Sequence, residues 1–122
     1  MNFRSRTHDM SNDLRRLYDA VRERKGRDPS DSRTAKLFAA GPKKIAKKVG
    51  EEAVEVALDA MAEDRQGVIN ESADLLYNIA VLWASLDIHP DEVFAELRRR
   101  ENLYGIAEKL PKLAVVGGRE EK

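Results

Sequence analysis

The sequence contains no cysteine, carries no net charge and has few aromatic residues. Without cysteine, a disulfide framework, thiolate catalysis and cysteine-based zinc sites are excluded, and a reducing cytoplasm is compatible. The 22 basic and 22 acidic residues balance, so no overall field attracts nucleic acid or an anionic membrane. The longest apolar run, residues 79–84, is too short to span a bilayer, and "MNFRSRTHDM" lacks the apolar stretch of a signal peptide. We therefore expect a cytoplasmic protein that binds neither nucleic acid nor a membrane.

Length and periodicity predict one all-α domain. A chain of 122 residues, 42% hydrophobic and 36% charged, is large enough for one modest core. Helical spacing predicts a first helix within 11–26, a short helical piece in "TAKLFAAGP", helices over 42–63 and 68–86, and a last helix from Pro90. No segment alternates like a strand. We expect a bundle of about four main helices, with a flexible N-terminus (1–10), a domain over 11–108 and a turn-rich tail (109–122).

The stretch "KKVGEEAVEVALDA", residues 47–60, crowds three carboxylates behind two lysines. On a helical wheel Glu51, Glu52 and Glu55 share one sector. The opposite, apolar sector is the expected core face and contains Ile45, Val49, Ala53, Val56, Ala57 and Ala60. This helix alone also fits a solvated face stabilised by lysine–glutamate pairs four residues apart, Lys47 with Glu51 and Lys48 with Glu52.

The next helix changes the balance between these two interpretations. From Ala73 to Ala84 its wheel is apolar on all sides except at Asp74, Tyr77 and Asn78, which predicts burial. Glu71 and Asp74 share one face, and antiparallel packing against the preceding helix would bring five carboxylates together. Two carboxylates about 6 Å apart repel by roughly 3 kcal/mol at an effective dielectric constant near 20. A divalent cation would relieve this repulsion.

Ligation by carboxylate oxygens alone selects a hard cation, Mg²⁺ by default or Mn²⁺. Such ions usually act on phosphates, and nearby basic residues could bind the phosphates that reach the metal. The candidates are Arg33, Lys36, Lys44, Lys47 and Lys48.

The two carboxylate motifs resemble a known signature. "EEAVE" and "ESAD" are similar to the Glu-Glu-x-x-Glu and Glu-x-x-Asp motifs of the MazG-like superfamily of all-α nucleoside triphosphate pyrophosphatases. Over about residues 14–100, "TAKLFAAGPKKIAKKVGEEAVEVALDA", "ESADLLYNIAVLWA" and "DEVFAELRRR" resemble the phosphoribosyl-ATP pyrophosphohydrolases of histidine biosynthesis. The resemblance implies Mg²⁺-dependent hydrolysis of phosphoribosyl-ATP to phosphoribosyl-AMP and pyrophosphate. It also implies a homodimer whose helices complete the bundle around each active site.

By position, the resemblance also implies roles for individual residues. The catalytic metal ligands would be Glu51, Glu52, Glu55, Glu71 and Asp74. The residues that bind substrate would be Arg33, Thr34, Lys36, Lys44, Lys47, Lys48 and Asn78. Which carboxylate acts as general base stays open.

Three departures from the family pattern leave the substrate open. Arg33 stands where the family commonly has tyrosine, Asn78 stands where it commonly has histidine, and about 22 residues follow "ELRRR". One alternative is a related pyrophosphohydrolase that acts on another, noncanonical nucleotide. A second is a helical dimerisation module without enzymatic activity.

Overall fold

The computed structural model describes residues 10–104, and all regular structure in that range is helical. Its helices, numbered in chain order, are α1 Met10–Arg22, α2 Arg33–Ala40, α3 Pro42–Met61, α4 Arg65–Ser85 and α5 Pro90–Tyr104. No strand occurs within the described range, so the predicted all-α class is confirmed. The short piece predicted before Pro42 is α2, and the other four are the main helices.

Capping residues determine where α2 and α3 begin. The Ser32 hydroxyl accepts a hydrogen bond from the Ala35 amide at 2.9 Å, so the first turn of α2 starts at Arg33. Pro42 occupies the first turn of α3, where the missing amide hydrogen removes no helical bond. These caps fix the short connection that sets α2 against the start of α3.

An aspartate cap starts α4 about one turn earlier than the periodicity predicts. The Asp64 carboxylate accepts a hydrogen bond from the Gly67 amide at 2.9 Å, so the helix begins at Arg65 rather than near Val68. A Cβ atom at Gly67 would lie 2.6 Å from Oδ2 of Asp64 and 2.7 Å from Oδ2 of Asp59. A side chain at this position would therefore displace the carboxylate that caps the helix, within a segment that its composition suggests to be a loop.

The hairpin of α3 and α4 is the centre of the fold. A short connection makes the two helices antiparallel, and they share the most extensive helix–helix contact; α1 also packs against α4, while α2 contacts both α3 and α4. The buried core lies where α1, α3 and α4 meet, and contains Tyr18, Val21, Ile45, Ala80, Val81 and Ala84. The ring of His89 meets the Tyr18 ring edge-on at 5.2 Å, which makes His89 a packing residue.

The buried side of α3 differs from the predicted core face. Of the residues expected there, the structure buries Ile45 fully and Val49 and Val56 in part, but exposes Ala53, Ala57 and Ala60. The prediction was wrong for these alanines, because the covered side is rotated toward Glu52. Apolar residues on both sides of α3 prevent periodicity from deciding which side faces the rest of the same chain.

An apolar stripe is left exposed on the opposite side of α3. It consists of Val54, Leu58 and Met61, whose side chains are 56%, 52% and 78% exposed. On α4, Leu76 is 45% exposed and Ala73 is exposed, while the other apolar residues from Ala73 to Ala84 are buried or half-buried, so this segment is largely buried, as predicted. Large apolar side chains at positions i, i+4 and i+7 of one helix form a continuous surface.

Contacts divide the chain into two compact units, Met1–Pro90 and Asp91–Lys122. The structure describes residues 10–90 of the first unit and 91–104 of the second, which are most of α5. Residues 1–9 of the predicted flexible N-terminus and the whole predicted tail lie outside the described residues, and the domain limits 11–108 stay a prediction. None of the described helices is long and apolar enough to cross a membrane.

Candidate metal centre between α3 and α4

Three carboxylates from two helices converge at the hairpin. Glu52 projects from α3, and Glu71 and Asp74 project from one face of α4, three residues apart. Each offers an oxygen, and these oxygens lie within 4.8 Å of one another. Glu52 and Glu71 are half-buried, and Asp74 is exposed. We call these three residues the carboxylate cluster. It is open to solvent on the side where Asp74 lies.

The carboxylate cluster is electrostatically strained. Hydrogen bonding with the Glu52 carboxyl group, partial desolvation and the nearby charges of Glu52, Asp74 and Glu55 together raise the pKa of Glu71 to about 7. Within residues 10–104, no lysine or arginine forms an ion pair with these carboxylates. The cluster therefore holds a shared proton near neutral pH, or accepts a cation from outside the chain.

The other two predicted carboxylates of α3 lie outside the cluster. Glu55 is exposed one turn beyond Glu52, close enough for its charge to raise the pKa of Glu71. Glu51 is exposed beside Glu52 and is not among the three residues that converge. The structure thus brings together three of the five predicted ligands. Glu55 lies close enough to change the pKa of Glu71, and Glu51 is outside the group that converges.

The predicted phosphate-binding lysines precede the cluster on α2 and α3. Lys36, Lys44 and Lys47 are exposed and Lys48 is half-buried. Among the described residues, the pairs Lys47–Glu51 and Lys48–Glu52 do not form, and these lysines make no other ion pair. This argues against the alternative of a salt-bridged solvated face, and leaves their ammonium groups available to an anion.

The first turn of α2 reaches α4 one helical turn beyond Asp74. The hydroxyl oxygens of Thr34 and Tyr77 lie 2.5 Å apart, in hydrogen-bond contact. The Arg33 guanidinium lies over the Tyr77 ring, with its central carbon 5.9 Å from the ring centroid. Two of the predicted substrate residues are therefore placed next to the cluster. Sequence reasoning did not assign Tyr77 to the site, and the only signal for it was its position three residues after Asp74.

Asn78 has a different environment from the other predicted substrate residues. Its side chain is only 2% exposed, and its Nδ2 donates a hydrogen bond to the backbone oxygen of Asp74 at 2.9 Å. Its Oδ1 is buried and has no hydrogen-bond partner among the described residues. The Asn78 side chain is enclosed by its own chain, so a substrate could touch it only if the surrounding residues moved. Its hydrogen bond to the backbone oxygen of Asp74 instead connects it to the helix that carries the cluster.

The donor set of the carboxylate cluster suits a hard divalent cation. All its ligand atoms are carboxylate oxygens, and no cysteine or histidine takes part. A cation there would favour the ionised form of Glu71, which the neighbouring negative charges now disfavour. The cluster can therefore hold a metal ion and present it to an anionic ligand that approaches past the lysines.

Comparison with known proteins agrees with this geometry. A family model described as "Phosphoribosyl-ATP pyrophosphohydrolase" matches residues 14–101, which include the whole cluster. "Phosphoribosyl-ATP pyrophosphatase 2" of Rhodopseudomonas palustris is 59% identical over 103 residues, covering 84% of this chain and 79% of the relative. The protein of the same name from Bradyrhizobium diazoefficiens is 56% identical over 106 residues, covering 87% and 79%.

A third relative widens the comparison beyond these two proteins. "Phosphoribosyl-ATP pyrophosphatase" of Gluconobacter oxydans is 51% identical over 96 residues, covering 79% of this chain and 72% of the relative. The chain belongs to the phosphoribosyl-ATP pyrophosphohydrolase family, which confirms the family and the hydrolase class that its motifs predict.

Proposed function

We propose that the chain hydrolyses the α–β phosphoanhydride of phosphoribosyl-ATP, giving phosphoribosyl-AMP and pyrophosphate in histidine biosynthesis. The observation that carries the proposal is the carboxylate cluster, which forms no ion pair with a described lysine or arginine and lies on the motif residues of a chain in this family. A water molecule supplies the oxygen that forms the new bond to the α-phosphorus, and pyrophosphate leaves as the anhydride bond breaks. The proton lost by the water passes to a neighbouring carboxylate.

Mg²⁺ is the cation we propose, with Mn²⁺ as a substitute. Glu52, Glu71 and Asp74 would hold it, and Glu51 and Glu55 would complete its negative surroundings. When bound, such an ion neutralises phosphate charge and makes water a better nucleophile. The residues of the chain align the phosphates and accept the proton.

The basic residues before the cluster provide the phosphate-binding side of the site. They are Arg33, Lys36, Lys44, Lys47 and Lys48, which form no ion pair within the described range. A triphosphate brings several negative charges toward a cluster that is itself acidic, so binding requires cations on the approach. Thr34 adds a hydroxyl group at the same end of α2.

A homodimer would explain the apolar stripe of Val54, Leu58 and Met61. These residues lie on the α3–α4 hairpin, on the side of α3 turned away from the core of the same chain. A second copy packing there would complete a helical bundle and remove the stripe from water. Leu58→Glu should convert the dimer to a monomer in multi-angle light scattering, whereas Arg27→Glu on the exposed connector should not. A wild-type chain that is monomeric at micromolar concentration would contradict the dimer.

The cytoplasm is the compartment we propose, because a chain without cysteine is compatible with reducing conditions.

A second candidate function keeps the same hydrolytic chemistry but has a different nucleotide as substrate. Arg33 and Asn78 depart from the residues that the family commonly has beside this site, which favours a pyrophosphohydrolase for a noncanonical nucleotide.

Two experiments decide between these substrates. The purified chain with Mg²⁺ should release pyrophosphate from phosphoribosyl-ATP faster than from other nucleoside triphosphates, and its gene should rescue a histidine auxotroph that lacks the enzyme. Failure of the rescue, together with rapid cleavage of another triphosphate, would reject phosphoribosyl-ATP in favour of the second candidate. Absence of any pyrophosphate release would leave only the noncatalytic dimerisation module.

A further inference from the structure

Tyr77 connects two elements that are far apart in the sequence. Its ring packs against the hydrophobic core, and its hydroxyl bonds to Thr34 across 43 positions of the chain at 2.5 Å. Tyr77 also lies one helical turn beyond Asp74, on the helix that supplies two members of the carboxylate cluster. The Tyr77 side chain therefore links the first turn of α2 to α4 at a position one helical turn from Asp74.

The same ring holds an uncompensated positive charge. The Arg33 guanidinium lies 5.9 Å from the Tyr77 ring centroid, is exposed and forms no ion pair with a described carboxylate. The ring offers the guanidinium a cation–π contact, which holds the arginine in place and keeps its N–H groups available to a ligand from solvent.

We infer that Tyr77 is a positioning residue, which holds Thr34 by its hydroxyl group and Arg33 by its ring. Through these two contacts, α2 presents the Arg33 guanidinium to the phosphate chain of the substrate at the carboxylate cluster. This role rests on the proposed function. In this role Arg33 contributes uniform binding, which holds the phosphates equally well before and during the reaction. Its loss therefore raises KM and leaves kcat nearly unchanged.

Steady-state kinetics of the full chain with Mg²⁺ test whether the positive charge of Arg33 contributes to substrate binding. For pyrophosphate release from phosphoribosyl-ATP, Arg33→Gln should raise KM about tenfold and change kcat by less than about twofold. Arg33→Lys should recover part of the loss, because it keeps the charge but not the planar group. The matched control Arg27→Gln removes one charge from the connector between α1 and α2, which forms no ion pair or hydrogen bond with the carboxylate cluster among the described residues, and should leave KM unchanged.

Double-mutant cycles test whether Tyr77 acts through its two partners. Tyr77→Leu should raise KM about tenfold in the wild-type background but less than about twofold in the Arg33→Gln background. Tyr77→Phe keeps the ring and removes the hydroxyl, so it should match Thr34→Val, and the double variant should be no worse than either single one. Equal factors in both backgrounds, or a lower kcat with unchanged KM, would overturn the inference. If Tyr77→Leu fails to fold, the cycle of Tyr77→Phe with Thr34→Val decides.

Binding of inorganic pyrophosphate with Mg²⁺, measured by calorimetry, separates this inference from the proposed function. A wild-type chain that releases no pyrophosphate from phosphoribosyl-ATP would reject the proposed function alone. In that case Arg33→Gln should still weaken pyrophosphate binding about tenfold, and Tyr77→Leu should add little to it. Pyrophosphate binding that is absent in the wild type, or unchanged in Arg33→Gln, would overturn the role of Tyr77.

Discussion

Two half-buried glutamates on neighbouring segments of this chain have opposite electrostatic environments. Hydrogen bonding with Glu52, partial desolvation and nearby carboxylates raise the pKa of Glu71 on α4 to about 7. Hydrogen bonds from Arg99 and Arg100 lower the pKa of Glu96 on α5 to about 2. The two side chains are exposed to a similar extent, so the neighbouring charges account for the difference between their pKa values.

The comparison distinguishes a structural carboxylate from a ligand-binding one. On α5 the sequence "ELRRR" places arginines three and four residues after Glu96, with nitrogen–oxygen distances of 2.8 to 3.0 Å. On α3 the lysines are also close to the glutamates in sequence, but within the described residues they form no such ion pairs. In a chain with equal numbers of cations and anions, acidic groups left without partners across two helices indicate a site for an external cation.

The largest effect that we expect is on turnover, which should depend on the carboxylate cluster and not on Glu96. Glu52→Gln and Asp74→Asn should each lower turnover at least about a hundredfold, because each removes a negative ligand from the proposed metal. Glu96→Gln, the matched control, should retain turnover, since its carboxylate pairs only with arginines of its own helix. Circular dichroism checks that all three variants fold. Retained activity in the first two would contradict the metal assignment.

Mg²⁺ should stabilise the fold only through the carboxylate cluster. At about a hundred times its dissociation constant, a ligand of the native state adds about 2.7 kcal/mol, or about 10 °C in Tm for a domain of this size. We expect this shift in the metal-free wild type and in Glu96→Gln, and a clearly smaller one in Glu71→Gln. Equal shifts in all three proteins, measured by calorimetry, would place the ion elsewhere.

The raised pKa of Glu71 predicts an unusual pH dependence for the metal-free protein. Its folded-state pKa of about 7 exceeds the ordinary value of 4.5, so the native state binds more protons between these values. The free energy of unfolding should therefore fall as pH rises from about 4.5 to about 7. In urea titrations Glu71→Gln should remove this decrease. A decrease that persists in the variant would assign it to another group.

Glu96 should show the opposite and smaller dependence. Its pKa of about 2 lies below the ordinary value of 4.5, so its stabilisation is present above pH 4.5 and is lost as pH falls toward 2. The ion pairs of Glu96 with Arg99 and Arg100 are partly exposed to solvent, so salt should screen them and the effect should weaken in 1 M salt. Glu96→Gln should lose the acid-side decrease. A salt-independent decrease in the wild type would show that Glu96 is not its source.

Much of the site follows from local sequence patterns. The helical spacing of "KKVGEEAVEVALDA" and "ESADLLYN" places Glu52 on one helix and Glu71 and Asp74 on the next, and the short connection makes these helices antiparallel. Because the convergence depends only on helix geometry and one turn, the sequence is sufficient to predict it. The resemblance to the family motifs predicted the type of reaction and the substrate, which helix geometry alone does not.

Other features depend on contacts that are distant in the sequence. The bond between Thr34 and Tyr77 joins residues 43 positions apart, and no periodicity indicates it. Glu51 and Glu55 share a wheel sector with Glu52, yet only Glu52 joins the two carboxylates of α4 in the cluster. The exposed stripe of Val54, Leu58 and Met61 is apolar like a core face, so the sequence could not tell which surface the same chain covers.

Electron paramagnetic resonance of Mn²⁺ tests the central claim most directly, because protein binding removes the signal of the free ion. Titrating metal-free wild-type protein, we predict stoichiometric loss of the free signal, competition by Mg²⁺ and the same result for Glu96→Gln. Glu52→Gln and Asp74→Asn should leave the free signal in place. Equal Mn²⁺ binding by these two variants and the wild type would contradict a metal centre formed by Glu52, Glu71 and Asp74.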